Sequence, residues 1–272
     1  MSIQPGKGQL FLVGLGPGAR DLMSPMAVEA LSSCEVVIGY RGYVDQIRDI
    51  TQSKEIVAMD LGEEMQRAAK AVELAFAGKS VAVVSSGDAG IFGMAAPVFQ
   101  QLSSAGWNGK DPHVEVVPGI SALQSAAALL GSPLMQDFCA ISLSDLMTPW
   151  EAIRKRLEAA ALGDFVVVLY NPRSRKRQRH IAEAREILLA VRGEDTPVGL
   201  VRNAYRPDQD ISLTTLGELE GCFEDVDMFT TVVIGNSTTY VAGNRMITPR
   251  GYHDVTNADK STKAPYHLER SL

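Results

Sequence analysis

The residues that could hold a ligand sit in three loops, each rich in glycine or proline and each between an apolar run and a helix-like run. The first, "GLGPGARDLMSP" (14–25), carries Gly14, Gly16, Pro17, Arg20 and Asp21. The second, "SSGDAGIFGMA" (85–95), places Asp88 among Gly87, Gly90 and Gly93. An acid at a strand's carboxyl end stands where open α/β sheets bind ligands. The same acid could equally cap the helix that follows. The third, "VVPGISA" (116–122), offers Ser121 as a ligand contact or as a plain N-cap. Further on, "NPRSRKRQRH" (171–180) gathers Arg173, Arg175, Lys176, Arg177 and Arg179 without an acid. Arginine pairs bidentately with carboxylates, so this run suits an acidic small molecule, or else forms a solvated helix face. Arg41 with Tyr43, and Arg202 with Arg206, are further candidates.

Gly14, Gly16 and Ala19 fit the spacing of a dinucleotide fingerprint. That motif needs a helix opening directly from the glycines, so that its free N–H groups meet a pyrophosphate. Here Pro17 lies inside the turn, and the helix signal, Ser24 as N-cap with Pro25 behind it, comes later. The second strand-like run ends in Gly39 and Tyr40, not in an acid for ribose hydroxyls. No Gly-Lys-Ser/Thr follows, which excludes a P-loop. The loop is therefore read as no phosphate cradle. Its glycines let backbone approach a ligand or a neighbouring strand, and a tight turn without a ligand is the plainer alternative.

The elements that must position these loops alternate. Strands are expected at 9–14, 35–40, 80–88 and 114–121, with helices after Ser24, over 63–79, over 93–106 with an interruption at Pro97, and in "ALQSAAALL". Strand, turn and helix in succession signal a parallel α/β sheet. "GSPLMQDF" (131–138) breaks the rhythm and is taken as a domain junction. Beyond it, strands are expected at 164–171, 196–204, 209–215 and 228–237, with a basic-fronted helix over 175–191. Two of these runs are separated by a short spacer, which predicts hairpin pairing and a mixed sheet.

The chain has 272 residues, 46% hydrophobic and 21% charged, with a net charge of −6. This balance is that of a globular protein and disfavours a general nucleic-acid surface. Three separated cysteines and four scattered histidines predict reduced thiols and no metal site. The polar start and the lack of a long apolar run predict neither a secretory leader nor a membrane span, hence a cytoplasmic protein.

The blocks "VGLGPGARDLMSPMAVEAL", "SSGDAGIFGMA", "VVPGISALQSAAALLG", "VVVLYNP" and "TTVVIGNS" resemble, in order and spacing, those of the tetrapyrrole (corrin/porphyrin) methylases. "IGYRGYVDQI", "YNPRSRKRQ" and "IGNSTTYVAGNRMITPRGY" resemble the branch that methylates precorrin-3B at carbon 17, with ring contraction to precorrin-4, in cobalamin biosynthesis. The resemblance implies two unequal α/β domains with S-adenosyl-L-methionine in the cleft between them. Residues 1–132 would form the N-terminal domain on a mainly parallel sheet, 133–250 a C-terminal domain on a mixed sheet, and 251–272 a polar tail.

Carried over block by block, Gly16 and Pro17 would border the cofactor, with Gly87, Asp88, Ala89, Ile91 and Phe92 from the second block and Ser121 with Ala122 from the third. Tyr170, Asn171, Asn203, Ala204, Thr230 and Thr231 would complete the pocket. Asn171 stands where methionine is common, and the threonine pair could be offset by one. The product would be S-adenosyl-L-homocysteine. Most of the rate would come from positioning, worth up to about 7–11 kcal/mol.

The substrate, a tetrapyrrole with several carboxylates, would meet Arg20, Arg41, Tyr43, Arg173, Arg175, Arg177 and Arg206. Ring contraction also calls for a proton to move, and Asp88 and Asp21 are the acids in the loops expected near the cleft. The absence of a cysteine cluster or fused iron–sulfur module favours the metal-free substrate over the cobalt-containing one. No resident metal, nucleic acid or membrane is expected, and a homodimer is. Alternatives are another member of the superfamily, including its uroporphyrinogen, diphthamide-pathway and ribosomal-RNA enzymes, a nicotinamide-dependent oxidoreductase, and a non-catalytic tetrapyrrole carrier.

Overall fold

The structure is a computed structural model and describes residues 8–251, so all but the first residue of the expected tail lies outside it. The first half runs β1 (Gln9–Gly14), α1 (Pro25–Ser33), β2 (Val36–Tyr40), α2 (Arg41–Asp45), α3 (Arg48–Thr51), β3 (Glu55–Met59), α4 (Glu64–Phe76), β4 (Ser80–Ser85), α5 (Ala95–Ser104), β5 (His113–Val117) and α6 (Ala122–Leu130). The second runs β6 (Gly131–Ser132), β7 (Phe138–Ser142), α7 (Trp150–Leu162), β8 (Val166–Tyr170), α8 (His180–Leu189), β9 (Pro197–Arg202), β10 (Asp210–Thr215), β11 (Thr230–Ile234), β12 (Tyr240–Ala242) and β13 (Arg245–Ile247).

The first five strands form a parallel sheet in the order β3-β2-β4-β1-β5. Its central strands β1 and β4 are buried along their whole length, which is why both read as unbroken apolar runs. Leu10, Leu12, Val81 and Val83 face the layer of α4 and α5, while Phe11, Val13, Ala82 and Val84 face α1. From β1 the chain crosses to β2 on one side, and from β4 to β5 on the other. Their loops therefore meet over the carboxyl edge of the sheet, the usual ligand position in such folds.

The second sheet has the order β10-β9-β11-β8-β7. β7 pairs parallel with β8, while β11 pairs antiparallel with both β8 and β9, and β9 with β10 forms the expected antiparallel neighbour pair. A small third sheet, β12-β13-β6, closes the chain. α6 buries Leu123, Ala126 and Leu130 against Val166, Val168, Val201 and Val233 of the second sheet, although it precedes the expected junction.

Pro97 does not interrupt α5. It is the third residue of that helix, where a missing N–H breaks no helical bond. α8 begins at His180, so Arg175–Arg179 form a loop and not the front of the helix.

A cleft built from six loop ends

The three glycine-bearing loops of the first half are knitted together. Gly16 and Gly87 exchange two backbone hydrogen bonds, of 3.0 and 2.8 Å, and Leu15 N–H donates to Ser85 O. The third loop lies so close that a Cβ on Gly119 would stand 2.1 Å from Gly87 O and 2.8 Å from Gly14. Asp88 fastens this packing: one carboxylate oxygen accepts from Gly90 N–H at 2.8 Å and the other from Gly119 N–H at 3.0 Å. It does not cap α5. Met94 occupies the N-cap position, and its N–H donates to Ser85 Oγ.

The helices nearest the cleft spend first-turn amides internally. Ala27 N–H donates to Ser24 Oγ, and Leu123 N–H to Tyr170 Oη. α1 starts only at Pro25, so the glycine loop does not lead its N-terminus to a pyrophosphate. Ser121 is the N-cap of α6, and both its amide and its hydroxyl donate to Gln124 Oε1 at 3.0 Å.

The second half closes the cleft with the carboxyl ends of β8 and β9 and the start of β11. Tyr170 crosses to the first half, accepting at 2.8 Å from Leu123 and packing on Phe92 with ring centroids 4.9 Å apart. Burial pushes the Tyr170 phenol up from its ordinary value. Phe92, with φ of 53°, and Asn171 and Asn203, at 50° and 49°, are left-handed. For the bulky Phe92 this is a costly backbone, of the kind that gathers at ligand sites. Asn171 is held by its Nδ2 donating to Ser142 Oγ. Thr230 hydrogen-bonds Asp227, on the opposite side of β11 from Thr231. Thr231 lies two residues from Val233 and so on the same, α6-facing side, and its hydroxyl has no partner among the described residues. Ala204 packs against that same cluster, while Ala89 is fully buried.

The arginines separate. Arg173 donates to Phe223 O and pairs with Glu224 at 2.7 Å, on the 219–225 segment. Arg177 is buried, and its guanidinium donates to Asn171 O at 2.7 Å, so it braces the turn after β8 instead of facing solvent. Burial lowers its proton affinity, opposed by the nearby Asp145. Arg175 is exposed, Arg20 pairs with Asp49 at 3.5 Å, and Arg41 lies 3.7 Å from Asp60. Asp21 is exposed, with no partner among the described residues. Arg206 instead spans the cleft, donating from Nε to Pro17 O at 2.5 Å and from Nη2 to Ser86 Oγ at 2.7 Å. Tyr43 is near it, its phenol pushed up by burial and drawn down by the Arg206 charge. Ser86, Ser142 and the Leu123 amide were not singled out in the sequence, because no motif marks a residue that acts through tertiary contact.

A groove between α4 and α5, lined by Met65, Phe99 and Gln101, carries no titratable side chain and belongs to a different face. Among the described residues no group of three or more His, Cys, Asp or Glu could hold a metal.

The sequence profile of the tetrapyrrole (corrin/porphyrin) methylases matches residues 9–220. The chain belongs to this family. Within the tetrapyrrole methylases it is 49% identical over 247 residues to the cobalt-factor III methyltransferase of Priestia megaterium, covering 90% of this chain but 45% of that protein. It is 39% identical over 250 residues to the precorrin-3B C(17)-methyltransferase of Sinorhizobium sp, covering 90% of this chain and 97% of that one. The crystal structure of the methyltransferase CobJ superposes with a TM-score of 0.83 at 38% identity, over 89% of this chain and 100% of CobJ. The chain thus spans about half of one curated relative and nearly all of another. Its parallel first sheet and mixed second sheet are those of the tetrapyrrole methylase fold.

Proposed function

We propose that this methylase transfers a methyl group from S-adenosylmethionine to carbon 17 of a corrin precursor, precorrin-3B or its cobalt-containing counterpart, with ring contraction. The observation that carries the cofactor reading is the cleft's chemistry. Glycine backbone, the exposed apolar Ile91 and Phe92, and the unpartnered Thr231 hydroxyl line it, and the nearby helix amides are spent. Those features fit an uncharged nucleoside bearing a sulfur chain better than a dinucleotide. When bound, the donor supplies the electrophilic methyl group.

The protein's part is positioning. Gly16, Pro17 and Gly87–Phe92 form one wall, Ser121 and Ala122 the floor, and Tyr170–Asn171, Asn203–Ala204 and Thr231 the other wall. Asp88 acts on that wall's shape through its two amide contacts. Thr230 is a support for the 227–230 turn. Arg20, Arg41, Tyr43, Arg175 and Arg206 remain candidates for the substrate's rim, with Arg173 and Arg177 bracing loops behind it. Asp21 is the acid left free to move a proton. The higher identity to the relative named for cobalt-factor III favours the cobalt-containing substrate over the metal-free one expected from the cysteine count. Two domains, with the junction moved from 132/133 to before α6 because that helix packs on the second sheet, a cytoplasmic location and a homodimer complete this reading.

Calorimetry separates the cofactor classes. S-adenosylhomocysteine binding with no heat from NAD supports the reading; the reverse would assign the glycine loop to a dinucleotide and end it.

A further inference from the structure

Among the arginines nominated for the cleft, Arg206 has an environment of its own. It comes from the turn after β9, where Asn203, Tyr205 and Asp208 are all left-handed, with φ of 49°, 57° and 62°. That turn is fixed by Arg206 N–H donating to Asn203 O at 2.9 Å and Tyr205 N–H to Gln209 Oε1 at 2.7 Å. The side chain then passes over the glycine loop of the other half. A Cβ on Gly18 would stand 2.7 Å from both Cγ and Nε of Arg206, so the glycine is what lets the arginine through. At its end, Nε and Nη2 are fastened to Pro17 O and Ser86 Oγ.

A guanidinium has five N–H groups. Two are used here, leaving one on Nη2 and both on Nη1 without a partner among the described residues. No carboxylate lies within ion-pair distance of Arg206 among those residues, whereas Arg20, Arg41, Arg173 and Arg202 each have one. Burial lowers the proton affinity of Arg206, and the Tyr43 phenol opposes that shift. A half-buried cation without an anion is costly, and an incoming anion relieves the cost.

We propose that Arg206 is a carboxylate receptor at the junction of the two halves, its fork locked on the Pro17 and Ser86 loops and its free N–H groups presented to a carboxylate of the bound reactants. The inference rests on the methyl-transfer reading above. Two reactants could supply that carboxylate, the amino-acid end of the methyl donor and a side chain of the macrocycle. Either would draw the second half's turn and the first half's glycine loops onto one ligand.

The test uses the intact protein and the variants Arg206→Gln and Arg206→Lys, with two donor analogues that share the nucleoside thioether. S-adenosylhomocysteine keeps the amino-acid carboxylate and 5′-methylthioadenosine lacks it. Binding of S-adenosylhomocysteine by the unaltered protein checks the underlying reading, independently of the variants. If the donor is the source, Arg206→Gln weakens S-adenosylhomocysteine about tenfold or more and leaves 5′-methylthioadenosine unchanged. If the macrocycle is the source, both analogues bind as before, and the KM for the macrocycle rises about tenfold while kcat is kept. In either case Arg206→Lys, which keeps the charge and loses the fork, recovers part of the loss. Equal weakening of both analogues with an unchanged macrocycle KM would make Arg206 a strut and overturn the proposal. No change in any of the three measurements would overturn it as well.

Discussion

Asp88 was marked in the sequence by its glycine surroundings, and the structure gives both of its carboxylate oxygens backbone partners in two different loops. A residue committed in this way shapes the cleft. Asp88→Asn should therefore raise the KM for the methyl donor about tenfold and leave the pH profile of kcat in place. A general acid or base would instead cost about 10²–10⁴ in kcat and remove a limb of that profile. Tyr170→Phe strips the acceptor from Leu123 N–H and should cost about 1–3 kcal/mol, read as a lower Tm. The basic run shows the limit of reading at this scale. Five cations in ten residues could be counted, but that Arg177 turns inward onto Asn171 while Arg175 stays in water depends on a chain reversal made by Ser174 and Arg177. Residue types do not record that turn.

At the scale of elements, the buried central strands were legible because burial on both faces leaves an uninterrupted apolar run, as in "QLFLVG". α1 was legible at its first residue because Ser24 and Pro25 carry the cap. The edge strands β3 and β7 were not, since "EIVAM" and "FCAIS" are short and largely half-buried or exposed. α7 was missed because part of its buried face is alanine, Ala160 and Ala161, which the sequence does not separate from surface alanine. The hairpin-like pairing of β9 with β10 was read from spacing alone, and the structure confirms it. Loop packing belongs to this scale too. Gly119→Ala places a methyl group against Gly87 O, which must shift. That variant should lower Tm by more than Tyr170→Phe does and weaken S-adenosylhomocysteine at least tenfold. Unaltered binding would show that the three loops do not shape the donor site.

For the whole molecule, two sheets with separate cores are joined by a few cross-contacts, Tyr170 to Phe92, and Arg206 to Pro17 and Ser86. No helix among the described residues is long and apolar enough to cross a membrane. Burial pushes the Cys34 thiol up to about 11, and Tyr43, Tyr170 and Cys139 also move upward. Each is held in its protonated form by the fold, so the unfolded chain releases these protons first. Stability is thus retained below about pH 9 and falls as the pH rises towards 11, by up to about 1.4 kcal/mol per unit for Cys34. Urea midpoints across that range should decline, and Cys34→Ala should flatten part of the decline.

On the proposed reading, the two halves bring a methyl donor and a large acidic ring together. The direct test is a mass spectrum of the macrocycle after incubation of the purified protein with S-adenosylmethionine and either precorrin-3B or its cobalt-containing counterpart. A gain of one CH₂ unit with a changed chromophore on one of the two would bear out methylation with ring contraction and identify the substrate. An unchanged mass for both, with the donor bound, would contradict the carbon-17 assignment.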